Sequence, residues 1–215
     1  MSVKEIAVMA DIYQENDRVA ENIRQNLKSK GVYAVNLIGA PGTGKTSCLI
    51  RVIEGLKGVG CSVIEGDIQS DIDTEKLRLM GISAVQINTG GACHIEAVQI
   101  QKALEKLSLE EKSLLFIENI GNLVCPAEFD IGEDIKILAV TVAEGSDKPY
   151  KYPLAFKKAG AVILNKADLL PYVDFDADYF YKGVRALNPK APIFKVSAKT
   201  GEGFDEVCAW LKSAL

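Results

Sequence analysis

Gly39-Ala40-Pro41-Gly42-Thr43-Gly44-Lys45-Thr46 follows an apolar run over residues 34–38 and leads into a helical pattern over residues 47–56. This is G-x-x-x-x-G-K-[ST] between a strand and a helix, the context in which a glycine-rich turn becomes a P-loop. The glycines let the chain curl with its N–H groups facing inward, and the helix N-terminus adds positive potential, so the loop suits a phosphate. In this reading Gly39, Gly42, Thr43, Gly44 and Ser47 cradle phosphates, Lys45 bridges the β- and γ-phosphates, and the Thr46 hydroxyl ligates Mg²⁺.

Outward from the loop, short apolar runs recur at 61–64, 84–87, 114–117, 135–142, 161–164 and 193–196. Helical patterns at 74–80, 95–107, 153–158, 179–187 and 204–211 lie between or after most of them. Strands alternating with helices predict an α/β P-loop NTPase, with a mostly parallel seven-stranded sheet and helices on both faces. Ahead of it, residues 4–29 carry apolar positions at helical spacing (Ile6, Met9, Ile12, Val19, Ile23, Leu27) and predict a leading amphipathic helix. Residues 171–178 read as a surface loop. Neither repeat nor linker divides the chain, so 1–215 is expected to be one domain.

In such a sheet ligands sit at the carboxyl ends of strands, which directs attention to the residues just after each run. Asp67 and Glu118 are acidic residues at two of those ends, placed to hold Mg²⁺ or to act on the attacking water; capping or solvated roles are the alternative. Gly121 can offer its N–H to the γ-phosphate, and Glu118-Asn119-Ile120-Gly121 resembles the D-x-x-G switch with Glu in place of Asp. Asn165-Lys166-Ala167-Asp168 and Ser197-Ala198-Lys199 follow two further runs. Guanine presents two adjacent donors where adenine presents an acceptor and a C–H, so the Asp168 carboxylate selects guanine. Asn165 would steady purine and loop, the Lys166 stem would cover the base, and the Ala198 N–H would donate to the guanine carbonyl. The expected ligands are therefore GTP and GDP. No arginine finger or catalytic glutamine is evident, so slow hydrolysis by the isolated protein is expected.

Composition narrows the partners. With 25 Lys+Arg against 29 Asp+Glu the net charge is −4, which leaves no basic excess for nucleic acid. No apolar run approaches the roughly 20 residues of a membrane span, and the N-terminus lacks a signal-peptide pattern, so a cytoplasmic protein without membrane contact is expected. Five cysteines, Cys48, Cys61, Cys93, Cys125 and Cys208, read as reduced thiols. Cys48, Cys61 and Cys208 look like core. Cys93 stands beside His94, the one histidine, in a Gly-rich segment, and Cys125 precedes Pro126 in a loop expected at the same sheet edge. Thiolate with imidazole suits Ni²⁺ or Zn²⁺ and disfavours Mg²⁺ and Ca²⁺. Three ligands leave a tetrahedral site incomplete, and a two-fold dimer would complete it. Buried thiols with a helix-capping imidazole are the other reading of the same residues.

The motifs together resemble the HypB hydrogenase nickel-incorporation GTPases, of the SIMIBI class. The resemblance runs from about Gly31 to the C-terminus and is carried by GAPGTGKT, EGDIQSDIDTEK, GGACH at 90–94, FIENIGNLVCPAEFD, NKAD and SAKTGEGF. It implies a GTP-hydrolysing metallochaperone that delivers nickel during maturation of nickel-iron hydrogenase. It further implies a homodimer when GTP is bound, with Cys93, His94 and Cys125 as the metal site and Lys148 sensing the nucleotide at the dimer interface. The implied partners are the metallochaperone HypA and the hydrogenase large subunit. Urease chaperones carry Cys-Pro-His, whereas Cys125-Pro126-Ala127 stands here. The rival readings are a GTPase chaperone for urease or a cobalamin-dependent mutase, a P-loop small-molecule kinase, and a metal-binding module whose nucleotide only sets its shape. The Cys-rich or His-rich N-terminal nickel segment of some members is missing from this sequence.

Overall fold

The computed structural model describes residues 3–67 and 72–215, apart from the side chains of residues 3–13, 67, 72 and 73. In chain order the elements are α1 (Val3–Ser29), β1 (Tyr33–Gly39), α2 (Lys45–Gly55), β2 (Cys61–Asp67), α3 (Ile72–Leu79), β3 (Ser83–Asn88) and α4 (Ala97–Leu104). There follow β4 (Leu114–Gly121), α5 (Cys125–Glu128), β5 (Ile135–Thr141), α6 (Lys148–Lys151), α7 (Pro153–Lys158), β6 (Ala161–Asn165), α8 (Ala177–Leu187), β7 (Ile193–Lys195) and α9 (Phe204–Lys212).

The strands form one sheet in the order β3-β2-β4-β1-β5-β6-β7, every pair parallel. Period-two alternation divides its side chains between two faces. Val35, Leu37, Leu114, Phe116, Ile137, Ala139, Ala161 and Ile163 pack with α2 and α9 on one face. At the alternate positions of the strands Ala34, Ile64, Leu115 and Ile117 pack under α1 and α4 on the other face. On that second face Ile38, Leu138, Val140, Val162 and Leu164 continue the layer beneath α7 and α8. Helices therefore cover both faces, as an all-parallel sheet requires.

The order places β1 at the centre, between β4 and β5, so the loop after β1 leaves the middle of the sheet. The chain first winds outward through β2 and β3, then returns to insert β4 beside β1, and only afterwards builds β5, β6 and β7 on the other side. That reversal creates the crevice in which α/β sheets bind ligands.

Three local expectations change. The run at 114–117 does not end at Glu118: β4 continues to Gly121, because Glu118 pairs in register with Leu37 and Glu65 on the two neighbouring strands. The helix expected from residue 95 begins at Ala97, because Ile95 turns into the core and Glu96 caps the helix reciprocally with Gln99. Cys125 stands at the start of the short helix α5 instead of in an open loop, with Pro126 in its first turn.

Candidate nucleotide and metal site

The loop after β1 is closed upon itself. Lys45 is buried, and its Nζ donates to the carbonyls of Gly39 at 3.3 Å and Ala40 at 3.4 Å. The Thr43 hydroxyl donates to the Ala40 carbonyl at 3.0 Å, while Ser47 is exposed at the start of α2. Gly44 caps α2 with φ 84°, and a Cβ there would come within 2.7 Å of Asn165 Nδ2, so only glycine fits. Gly121, at the end of β4, lies close enough to the loop that a Cβ would meet Pro41 at 2.8 Å.

Beside Lys45, the Thr46 hydroxyl donates to Glu118 Oε1 at 2.8 Å, and Glu118 is only 6% exposed. A buried carboxylate next to a hydroxyl at the mouth of a phosphate-type loop is a hard-oxygen donor set. The backbone of Asp67 closes β2, but its carboxylate lies outside the described residues.

The two motifs read as base loops meet each other and the phosphate-type loop. Asn165 Nδ2 donates to the Thr43 carbonyl at 2.8 Å, and Asn165 Oδ1 accepts from the Ala198 amide at 3.0 Å. Lys166, with φ 60°, donates from Nζ to the Gly42 carbonyl at 2.8 Å. The Ser197 hydroxyl donates to Asp168 Oδ1 at 2.6 Å and accepts the Thr200 amide at 3.2 Å. The Ala198 N–H, expected from the sequence to donate to the guanine carbonyl, donates in this structure to Asn165 Oδ1. Lys199 is exposed, and its carbonyl accepts from Arg51 Nη2 at 3.3 Å. Arg51, in the middle of α2, also donates from Nε to the Ala198 carbonyl at 2.9 Å, a brace that no motif announced.

The three candidate metal ligands meet. One ligand atom each of Cys93, His94 and Cys125 lies within 4.8 Å of the others. Cys93 Sγ donates to Cys125 Sγ at 3.0 Å, and His94 Nδ1 faces Cys93 Sγ at 3.5 Å. The bond to Cys125 leads the causes that raise the Cys93 thiol above its ordinary value. Burial pushes the His94 imidazole below its ordinary value, against the pull of Glu96, so the ring is neutral at pH 7 and able to ligate. The His94 ring stacks on Phe129 at 3.9 Å between centroids, so α5 offers Cys125 at its start and a platform for His94 just past its end.

Around the cluster stand asparagines that sequence reading missed. Asn119, 1% exposed, accepts from the Ile95 amide at 3.4 Å and donates to Asn36 Oδ1 at 3.2 Å. Asn16 accepts from the Ala97 amide at 3.0 Å and donates to the Asp130 carbonyl at 2.8 Å, so α1 pins both flanks of the cluster. Asn122 Nδ2 donates to the Cys93 carbonyl at 3.1 Å. Lys148 sits apart on α6, paired with Glu144 at 3.5 Å and lying over the Tyr152 ring at 5.5 Å. Of the remaining thiols Cys48 and Cys208 are buried and Cys61 is half-buried.

Comparison with known proteins gives a consistent picture. The sequence profile described as the CobW/HypB/UreG nucleotide-binding domain matches residues 33–195. The hydrogenase maturation factor HypB of Rhizobium leguminosarum bv. viciae is 47% identical over 208 residues, covering 96% of this chain and 70% of that protein. The hydrogenase/urease maturation factor HypB of Helicobacter hepaticus is 39% identical over 211 residues, covering 96% of this chain and 87% of that protein. The crystal structure of HypB from Helicobacter pylori in complex with nickel superposes with a TM-score of 0.87 at 36% identity, covering 93% of this chain and 94% of that one. Among the described residues no helix is long and apolar enough to cross a membrane.

Proposed function

Since this chain belongs to the CobW/HypB/UreG family of nucleotide-binding proteins, and within it to HypB, we propose that it binds and slowly hydrolyses GTP to control delivery of nickel to a maturing nickel-iron hydrogenase. The observation that carries the reading is the meeting of Cys93, His94 and Cys125 at the edge of the sheet that bears the phosphate-type loop. Two thiols and an imidazole suit Ni²⁺ or Zn²⁺, and nickel is the cargo we assign.

Gly39, Gly42, Thr43, Gly44 and Ser47 hold the phosphates, Lys45 turns from the Gly39 and Ala40 carbonyls to the β- and γ-phosphates, and Gly121 offers its amide to the γ-phosphate. The oxygens of Thr46 and Glu118 suit Mg²⁺, and Asp67 is the further ligand we assign; when bound, the ion would neutralise charge developing between those phosphates. Asp168 reads guanine while Asn165, Lys166, Ser197, Ala198 and Lys199 shape its pocket, which argues against a small-molecule kinase. Three protein ligands are one short of a tetrahedral shell, so two GTP-bound subunits meeting at the cluster would complete it, with Lys148 near that interface. HypA and the hydrogenase large subunit are the partners we assign, and the cytoplasm is the compartment.

The test is a nickel titration of the full chain bound to a non-hydrolysable GTP analogue and, separately, to GDP, with C93A as control. Nickel affinity that depends on the nucleotide and collapses in C93A supports delivery controlled by GTP. Binding indifferent to Cys93 rejects the assigned metal site.

A further inference from the structure

We infer that Asn122 is a positioning residue that carries nucleotide state to the metal cluster, an inference resting on the nucleotide-linked nickel reading above. Its place in the chain is one residue past Gly121. Up to Gly121, β4 runs parallel to β1; at the next residue the backbone turns, and Asn122 pairs antiparallel with Gly39. Asn122 is thus attached directly to the first glycine of the phosphate-type loop.

Its side chain points the other way and uses both of its arms. Nδ2 donates to the Cys93 carbonyl at 3.1 Å, and Oδ1 accepts the Val124 amide at 2.9 Å, closing the turn that delivers Cys125 to α5. One side chain therefore ties the Cys93 backbone to the turn before Cys125, while its own backbone is tied to the loop. The other braces act elsewhere: Asn119 and Asn16 are buried and bind the Ile95 and Ala97 amides, beyond His94 in the chain. Asn122 is half-buried and both of its side-chain bonds are exposed, so they are not held by surrounding core.

The physical consequence follows from how steeply a hydrogen bond weakens with distance and angle. Gly121 is wedged against Pro41, so arrival or loss of a γ-phosphate that shifts Gly39, Pro41 or Gly121 must also shift the Asn122 backbone. The two arms then cannot both keep their length, and the spacing of Cys93 and Cys125 changes. This makes Asn122 part of a two-state element that both ligands bias, the physical requirement for coupling.

The experiment measures nickel affinity of the full chain with a non-hydrolysable GTP analogue and with GDP, both with Mg²⁺, for the parent, N122A and N122D. N122D keeps the acceptor for Val124 but sets an acceptor against the Cys93 carbonyl, so it breaks one arm in an isosteric side chain. Binding of a fluorescent GTP analogue to each variant shows that the nucleotide site is occupied. The parent is expected to show a ratio of affinities of about fivefold or more between the nucleotide states. In N122A and N122D that ratio falls to within about twofold of unity, while nickel still binds in both states. A purely structural residue would weaken nickel equally in both states and leave the ratio intact, and that result overturns the inference. A parent ratio of unity overturns the nucleotide-linked reading itself, which distinguishes the two failures.

Discussion

Two groups of loops rise from the carboxyl edge of the same sheet, and they are secured in different ways. The loops after β1, β6 and β7 hold one another through side chains reaching backbone: Asn165 to Thr43 and Ala198, Lys166 to Gly42, Arg51 to Ala198 and Lys199. The cluster between β3 and α5 instead holds its thiols mainly against each other, with Cys93 exposed and backbone ties from single asparagines. Pre-organisation suits a ligand that must be recognised the same way every cycle. Looser tethering suits a cargo that must also leave.

The sharpest contrast concerns the thiols. Burial pushes Cys48 up to about 12, so at pH 8 its thiolate is scarce, and the sign is that raising pH increases its reactivity. Alkylation of the native protein at pH 8, followed by mass spectrometry, is expected to modify Cys93 and Cys125 at least about a thousandfold faster than Cys48. Comparable rates would mean that the core around α2 opens as readily as the cluster. Next in size, Lys45→Ala removes the cation that the phosphate-type loop encloses. Nucleotide affinity should fall by about a hundredfold to a thousandfold by equilibrium binding, with nickel binding to the nucleotide-free protein unchanged.

Asp168→Asn replaces an acceptor by a mixed donor and acceptor and disturbs the bond from Ser197. GTP affinity should drop by about a hundredfold, and xanthosine triphosphate, whose ring carries a carbonyl where guanine has its amine, should gain. If adenosine triphosphate gains instead, the base loops do not read guanine. The smallest effect is expected at the looser cluster: Phe129→Leu removes the ring under His94 and should weaken nickel by about fivefold, without altering nucleotide affinity. A change in nucleotide affinity there would erase the contrast between the two groups.

Much of the first group was legible in the sequence because its residues come in fixed spacings after apolar runs. GAPGTGKT, NKAD and SAK each follow a strand, and in the structure Asn165 of NKAD is hydrogen-bonded to both of the others. The strands were visible as apolar runs, since a parallel sheet buries both faces. Residues without periodicity were not legible. Asn16, Asn119 and Asn122 belong to no spaced motif, and each has a partner far along the chain, 114 residues away for Asn16 and Asp130. Arg51 looks like any charged position on a helix until the loop after β7 folds back over it. Glu118 looked like a strand end because charge interrupts the apolar run, yet pairing on both sides carries β4 through it.

The hydroxyl of Thr46 resting on Glu118 has a bearing on the life of the protein between nucleotides. A carboxylate sealed beside the sheet centre would repel the protein from its own folded form if it stood bare. If the ion site is as proposed, Thr46 would act as a placeholder, offering Glu118 a proton donor when no divalent ion is near and lending its oxygen to the ion when one arrives. In that reading the protein would stay folded and receptive between one nucleotide and the next.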